Sequence, residues 1–165
     1  MIALRSYSTS GADYAELFEW GDGNTNGEDR VGKLVTLSED RIKLAEEGDW
    51  ILGIVSPAPA VLGNIEADAW HGMYQKDVYG REIYENGSHV LSSDYNPNQM
   101  YIPRMDRTEW SAVGLVGQLV CDDDGTCLPN RFISATGGIA TLSEVQTNVR
   151  CMRRVDDTHV LAFIH

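Results

Sequence analysis

Trp50-Ile51-Leu52-Gly53-Ile54-Val55-Ser56 is a continuous apolar run halted by Pro57 and Pro59. A short run of this kind, closed by breakers, reads as a strand buried on both faces. The flanking sequence carries related signatures. Upstream, Val31-Gly-Lys-Leu-Val-Thr-Leu37 is apolar and β-rich and ends at the Ser38-Glu39-Asp40 turn; Ile42 and Leu44 then alternate with charged residues. Downstream, Met73-Tyr74 and Ile83-Tyr84 flank a Tyr79-Gly80 hairpin. Residues 85–109 are polar and loop-like, with Asn96-Pro97 and Ile102-Pro103 as breakers. Strand character resumes at Val113-Gly-Leu-Val-Gly-Gln-Leu-Val120, then at Phe132-Ile133, Ile139-Ala-Thr-Leu142, 149–154 and 159–164. Turn signals recur roughly every 8–12 residues, which predicts an all-β fold: a compact barrel or sandwich of short strands with long loops. The 16 glycines suit bulges and tight corners in such a fold.

At 165 residues the chain suits one compact domain, and 42% hydrophobic residues supply a core. A formal charge of −12 argues against nucleic acid and against an anionic membrane as partners. No apolar run is long enough to span a bilayer, and Met1-Ile-Ala-Leu-Arg5 lacks the pattern of a secretion signal. The same start would also arise where a domain is cut from a longer protein. Cys121 and Cys127 flank Asp122-Asp123-Asp124-Gly125-Thr126, which reads as a solvated hairpin tip. The two thiols could face each other across that ladder, but the odd count of three cysteines favours free thiols.

The opening segment departs from this pattern. Ser10-Gly11-Ala12-Asp13-Tyr14-Ala15-Glu16-Leu17-Phe18-Glu19-Trp20 gathers three carboxylates and three aromatics beside a serine–glycine bond. As a short helix, Ser10 is the N-cap, Asp13 stands in a capping-box position, and Asp13, Glu16 and Trp20 share a face. As a strand, Asp13 and Glu16 point to opposite faces, because three is an odd step. Periodicity alone favours the helix, a capped acidic turn without chemistry. Only a helical turn, a bend or a neighbouring subunit brings these two carboxylates together.

Gly11-Ala-Asp-Tyr-Ala-Glu16, Phe18-Glu-Trp20 and Glu28-Asp-Arg-Val-Gly32 resemble the opening of a phage domain family. It is the autoproteolytic intramolecular-chaperone domain at the C-terminal end of tailspikes, neck appendages and tail fibres (peptidase family G, second member). Further matches follow in order: Val35-Thr-Leu37, Ile51-Leu-Gly-Ile-Val-Ser56, Gly63-Asn64, Trp70-His-Gly-Met-Tyr74, Tyr101-Ile-Pro-Arg104, Glu109-Trp110, Ala112-Val-Gly114, Asp123-Asp-Gly-Thr-Cys127 and Gly138-Ile-Ala-Thr141. The segment between Tyr84 and Tyr101 is short here, where many relatives carry a long charged insertion.

The resemblance implies a homotrimer that guides the upstream stalk of the same polypeptide into a β-helical fold and then cuts itself off. Residues 1–10 would be the end of that stalk and 11–165 the chaperone and protease. The cut is expected at Ser10-Gly11, with Asp13 and Glu16 as catalytic acids and Ser10 beside them; Glu19, Tyr14 and Trp20 are supporting candidates. The action would take place in the host cytoplasm during phage assembly, leaving the upstream product on the virion tail. No cofactor and no metal is implied. Chemically, one ionised carboxylate would activate water or the Ser10 hydroxyl, and a protonated one would supply the leaving amine. A bond held beside its catalyst gains an effective molarity on the order of 10⁵ M. Tyr14, Phe18 and Trp20 are expected to desolvate the acids and to be covered partly by neighbouring subunits.

The remaining polar residues carry weaker signals. His71 reads as a structural hydrogen bonder, and His89, His159 and His165 lack a serine or cysteine motif. The 122–124 aspartates lack an EF-hand pattern, so calcium is the lesser reading there; Gly21-Asp-Gly-Asn-Thr-Asn-Gly27 could also attract a cation but reads first as an exposed loop, and no lysine-bearing phosphate loop is present. A non-catalytic fibre-tip domain that binds host-surface glycan through exposed Trp and Tyr is the alternative reading.

Overall fold

The computed structural model describes residues 11–65 and 72–165; His71 and Ser10 lie outside the described residues. β2 (Leu34–Ser38) pairs antiparallel with β3 (Arg41–Leu44) and with β4 (Gly53–Val55). Leu34 and Ile54 enter one core cluster, with Ile133, Val160 and Ile164 among its members. Their sequence neighbours Val35 and Val55 enter a second cluster, with Trp20, Ile42 and Val113. Successive strand residues point to opposite faces, so a strand between two cores must be apolar at every position. This explains the unbroken run of 50–56, although the strand is only its middle and Trp50 is 61% exposed.

The architecture is all-β. Its sheets do not close into a barrel, and a sandwich-like arrangement fits. The principal sheet also contains β1 (Asp13–Glu19), β5 (Val61–Gly63), β8 (Trp110–Asp122), β9 (Phe132–Thr136), β10 (Ile139–Ser143), β11 (Val149–Arg154) and β12 (His159–Ile164). Its order is β10-β9-β11-β12-β8-β4-β2-β3, with β1 joined to β8 and β5. A separate small hairpin, β6 (Tyr84–Glu85) and β7 (Ser88–His89), lies in the polar stretch, and 104–106 form one 3-10 turn.

β8 links the two cores. Its pairing with β1 passes from Tyr14↔Val116 to Ala15↔Gly114, which leaves Leu115 as an extra residue. Such a bulge flips the faces of everything beyond it. Val113 accordingly serves the second cluster, whereas Leu119 and Cys121, of the same parity, serve the first.

Two expectations need correction. The opening segment is not helical: 13–19 is a strand, held antiparallel to β8 and parallel to β5. Tertiary pairing overrides the local capping signal there. The 122–124 aspartates are not a solvated hairpin tip either. Asp123 is buried; its carboxylate accepts from Arg154 Nη2 at 2.7 Å and from the Gly125 and Cys127 amides. The chain next forms β9 rather than a return strand at Cys127. All three cysteines are free and buried.

Candidate functional site

β1 alternates from Asp13 to Phe18. Asp13, Ala15 and Leu17 are buried, while Tyr14 is exposed and Glu16 and Phe18 are partly covered. The pleat therefore turns Asp13 and Glu16 to opposite faces, and a single chain does not pair them.

Asp13 is 6% exposed, and its Oδ2 has no hydrogen-bond partner among the described residues. It lies over Gly114, where a Cβ would stand 2.8 Å from that oxygen and 2.5 Å from Leu119 Cδ2. A buried carboxylate without a partner is costly, and such groups concentrate where chemistry is done. The backbone on either side is clamped. A Cβ on Gly11 would meet Ala60 N at 2.4 Å and Ala58 O at 2.8 Å. Gly117, at φ +123°, abuts Ala12 O, which a Cβ there would approach to 2.3 Å. The Asp13 carbonyl accepts from Ala60 N at 2.9 Å, and the Ala12 carbonyl from Gln118 N at 3.2 Å. The chain just after Ser10-Gly11 is thus fixed between β8 and the 57–60 loop.

A cleft of about 420 Å³ opens there. Gly11, Ala12 and Asp13 form one end, Asp122 and His159 the other, with the β8 edge and the Gly32 and 56–58 segments as walls. Asp122 is tied to Lys33 Nζ at 2.8 Å, with His159 Nε2 at 3.6 Å; His159 Nδ1 lies 2.8 Å from Asp156. Asp156 is held below the usual carboxylate range by the Thr158 amide first and by His159 next.

On the other face the Tyr14 hydroxyl donates to Glu16 Oε1 at 2.5 Å. That bond raises the Tyr14 phenol above its ordinary value, with desolvation and the Glu16 charge adding to it. Glu16 stands beside Gly63, its register partner on β5. Glu19 pairs with Arg41 at 3.2 Å. Trp20 is 1% exposed, buried by its own chain rather than by a neighbour. Its Nε1 donates to Ser111 Oγ at 2.9 Å, and Arg30 covers its ring at 4.3 Å. The expectation that Trp20 needs a second subunit is corrected: Val35, Ile42, Val55 and Val113 enclose it. Arg30 also draws in Asp22 at 2.7 Å and Glu28 at 2.9 Å, and holds the Asp22 carboxyl below its usual range. The acidic 21–29 loop is therefore a folded cap whose charge is partly spent on Arg30. Among the described residues no cluster of His, Cys, Asp and Glu is placed to hold a metal. No described helix is long and apolar enough to cross a membrane.

Sequence reasoning missed Gly114, Gly117, Ala58–Ala60 and the Asp122–His159 end of the cleft. Two glycines inside an apolar strand run are a signal for close backbone approach, and they were readable as such.

Fold and site together define an all-β domain in which a glycine-clamped strand carries a buried carboxylate whose Oδ2 has no partner among the described residues. The chain belongs to the Peptidase_G2 family, the IMC autoproteolytic cleavage domain, whose model matches residues 3–91 and 88–155. It is 36% identical over 152 residues to the pre-neck appendage protein of Bacillus phage phi29, a match covering 85% of this chain and 17% of that protein. It is 35% identical over 139 residues to the pre-neck appendage protein of Bacillus phage B103, covering 79% of this chain and 16% of that one. The chain thus spans under one-fifth of the length of these relatives. Among solved structures it resembles the C-terminal fragment of bacteriophage phi29 gene product 12, with a TM-score of 0.70 and 31% identity over 92% of this chain and 98% of that one. The pre-mature form of gene product 12 matches with a TM-score of 0.72 and 29% identity over 97% of this chain and 23% of that chain. The chain is a self-cleaving peptidase domain of a family found in phage appendage proteins.

Proposed function

We propose that this domain is the intramolecular chaperone of a phage or prophage tailspike or fibre. It trimerises, guides the upstream stalk, and releases itself once by cutting at Ser10-Gly11. The observation that carries the reading is the buried Asp13 carboxylate, its Oδ2 without a partner among the described residues, at the third residue past the bond and at the end of a cleft that Gly11 also lines. Water is the nucleophile. Attack by the Ser10 hydroxyl on its own carbonyl would close a four-membered ring. Asp13 takes a proton from water as its oxygen bonds to the Ser10 carbonyl carbon. The C–N bond then breaks, the Gly11 nitrogen leaves with a proton, and Ser10 ends as a carboxylate.

The second acid, Glu16, comes from a neighbouring subunit in this reading. Its face of β1 is turned away from Asp13, and Tyr14 beside it is 40% exposed. Cleavage would therefore wait for trimerisation. The timing suits a chaperone, because the template stays attached until three chains are in place and its removal leaves the stalk kinetically trapped. The trimer acts in the host cytoplasm during assembly, and the upstream product remains on the virion tail. Intact-mass measurement on a longer fragment carrying stalk sequence tests the reading. A new N-terminus at Gly11 appearing with the trimer supports it, and a chain that trimerises and stays whole contradicts it.

One feature favours glycan binding: Trp50 is exposed beside a second groove of about 1040 Å³, lined by Thr141, Ser143, Gln146 and Asn148 among others. Retention on glycan arrays that Trp50→Ala abolishes, in a chain that never cuts, would establish that reading instead.

A further inference from the structure

β5 ends in a latch. Its register with β1 runs Tyr14↔Val61, Ala15↔Leu62 and Glu16↔Gly63. One further step would set Asn64 beside Leu17. Instead the Asn64 backbone turns to φ +55°, and its side chain makes the next bond: Nδ2 donates to the Leu17 carbonyl at 2.7 Å. Asparagine is among the few side chains that tolerate this left-handed backbone. Arg104, in the 3-10 turn, holds Asn64 in its turn. Its Nη1 donates to the Asn64 carbonyl at 2.8 Å and to Asn64 Oδ1 at 2.7 Å, which leaves Nδ2 aimed at β1. The Arg104 guanidinium lies over the Trp110 ring at 4.1 Å, and Trp110 is the register partner of Glu19 on β1. These contacts close a circuit from β1 through β5, Asn64, Arg104 and β8 back to β1.

The circuit encloses the Tyr14–Glu16 pair. A Cβ on Gly63 would stand 3.0 Å from the Tyr14 hydroxyl oxygen and 3.1 Å from Glu16 Cγ, so β5 lies flush against both side chains. Among the described strands β5 pairs with β1 alone, over three residues. An edge strand that short opens easily, and its end beside Glu16 is the end that Asn64 ties down. We propose that Asn64, clamped by Arg104, is a positioning residue for self-cleavage, which fixes the end of β5 against β1 and so sets where the Glu16 carboxylate stands. The proposal deepens the self-cleavage reading and rests on it for the role of Glu16 as the second acid. A carboxylate that must serve a neighbouring subunit's site gains from being aimed before the subunits meet, since a misplacement of about 1 Å can cost roughly 10²-fold in rate. The Tyr14 hydroxyl donates to Glu16, and that bond is the first cause of the raised Tyr14 phenol, so Tyr14 reports the carboxylate's position.

Asn64→Gly in the full chain tests this, because glycine keeps the left-handed backbone and removes only the latching side chain. The Tyr14 titration, read as phenolate absorbance against the same chain carrying Tyr14→Phe, should fall toward that of free tyrosine. Self-cleavage followed by intact mass should slow roughly 10²-fold. Arg104→Met keeps a stem over Trp110 but loses the donors, and should do the same; Arg104→Lys should restore most of both. A merely structural latch would lower stability and leave the Tyr14 titration of the folded chain where it was. That result overturns the proposal, and so does a shifted titration with cleavage at the parental rate. If Asn64→Gly does not fold, Arg104→Met decides. Glu16→Gln separates the latch from the wider reading. Slow cutting in Glu16→Gln, with an unmoved Tyr14 titration in the latch variants, overturns the latch and keeps Glu16. Parental cutting in Glu16→Gln removes Glu16 from the chemistry and overturns the proposal with it.

Discussion

Asp13 sits directly over Gly114 on the neighbouring strand, with room for its carboxylate only because residue 114 has no side chain. The oxygen that faces Gly114 is buried and has no partner among the described residues. In the proposed mechanism this arrangement trades stability for reactivity, as functional sites commonly do. Asp13→Asn should therefore slow cleavage by about 10²–10⁴-fold, the range of a lost general base. It should also raise the melting temperature, because a neutral amide is cheaper to bury than an unpaired charge. Intact mass and thermal unfolding, measured on the same sample, check both. A variant that melts lower than the parent would show that the carboxylate is anchored rather than strained.

Gly117 holds the other side of the clamp. Alanine there meets both a φ of +123° and the Ala12 carbonyl. Gly117→Ala is expected to cost about 1–3 kcal/mol of stability. It should slow cleavage beyond what that loss explains, since Ala12 is displaced beside the proposed cut at Ser10-Gly11. Denaturant unfolding gives the first quantity and single-turnover cleavage the second. Unchanged cleavage would mean that the clamp is purely structural.

Tyr14 reports on Glu16. Its phenol is raised above the ordinary value chiefly by the hydrogen bond to the Glu16 carboxylate. A raised folded pKa favours the neutral phenol, and that contribution fades as pH rises through it. Glu16→Gln should lower the Tyr14 titration toward that of free tyrosine, read by phenolate absorbance in a difference titration against Tyr14→Phe. The same Glu16→Gln chain should cut slowly with the fold intact. Parental cutting with a shifted Tyr14 titration would confine Glu16 to a structural role.

The cysteines should be inert in the native state. Burial first, with nearby Asp123 adding to it, pushes the Cys121 thiol up to about 12 and raises Cys127 and Cys151 as well. Thiolate is the reactive form, so alkylation at neutral pH should modify none of the three until the domain unfolds. Rapid labelling of Cys121 in the folded protein would contradict the burial described above.

The middle strands were legible in sequence because burial on two faces leaves a mark that one residue cannot hide: Leu34-Val35 and Ile54-Val55 are apolar at consecutive positions. The opening segment was harder. Its capping pattern is local, whereas the pairing that makes it a strand comes from Val113, Gly114 and Gly117, about a hundred residues away. Asp123 misled for a related reason. An Asp-Asp-Asp-Gly run looks solvated, and only the fold brings Arg154 to it. The carboxylates Asp13 and Glu16 were legible as candidates, but their separation onto two faces required knowing that the segment is extended.

In the proposed trimer, one active site draws Asp13 from one chain and Glu16 from its neighbour. Asp13→Asn and Glu16→Gln chains, each silent alone, should recover cleavage when unfolded together and refolded as mixed trimers. In a trimer holding both variants, about one site in three then pairs an intact Asp13 with an intact Glu16, as expected for cyclic pairing around a three-fold axis. Intact mass of the mixed trimers is the measurement. Recovery of about that fraction is the predicted result; mixed trimers that stay whole, while parental trimers cut, would contradict the account.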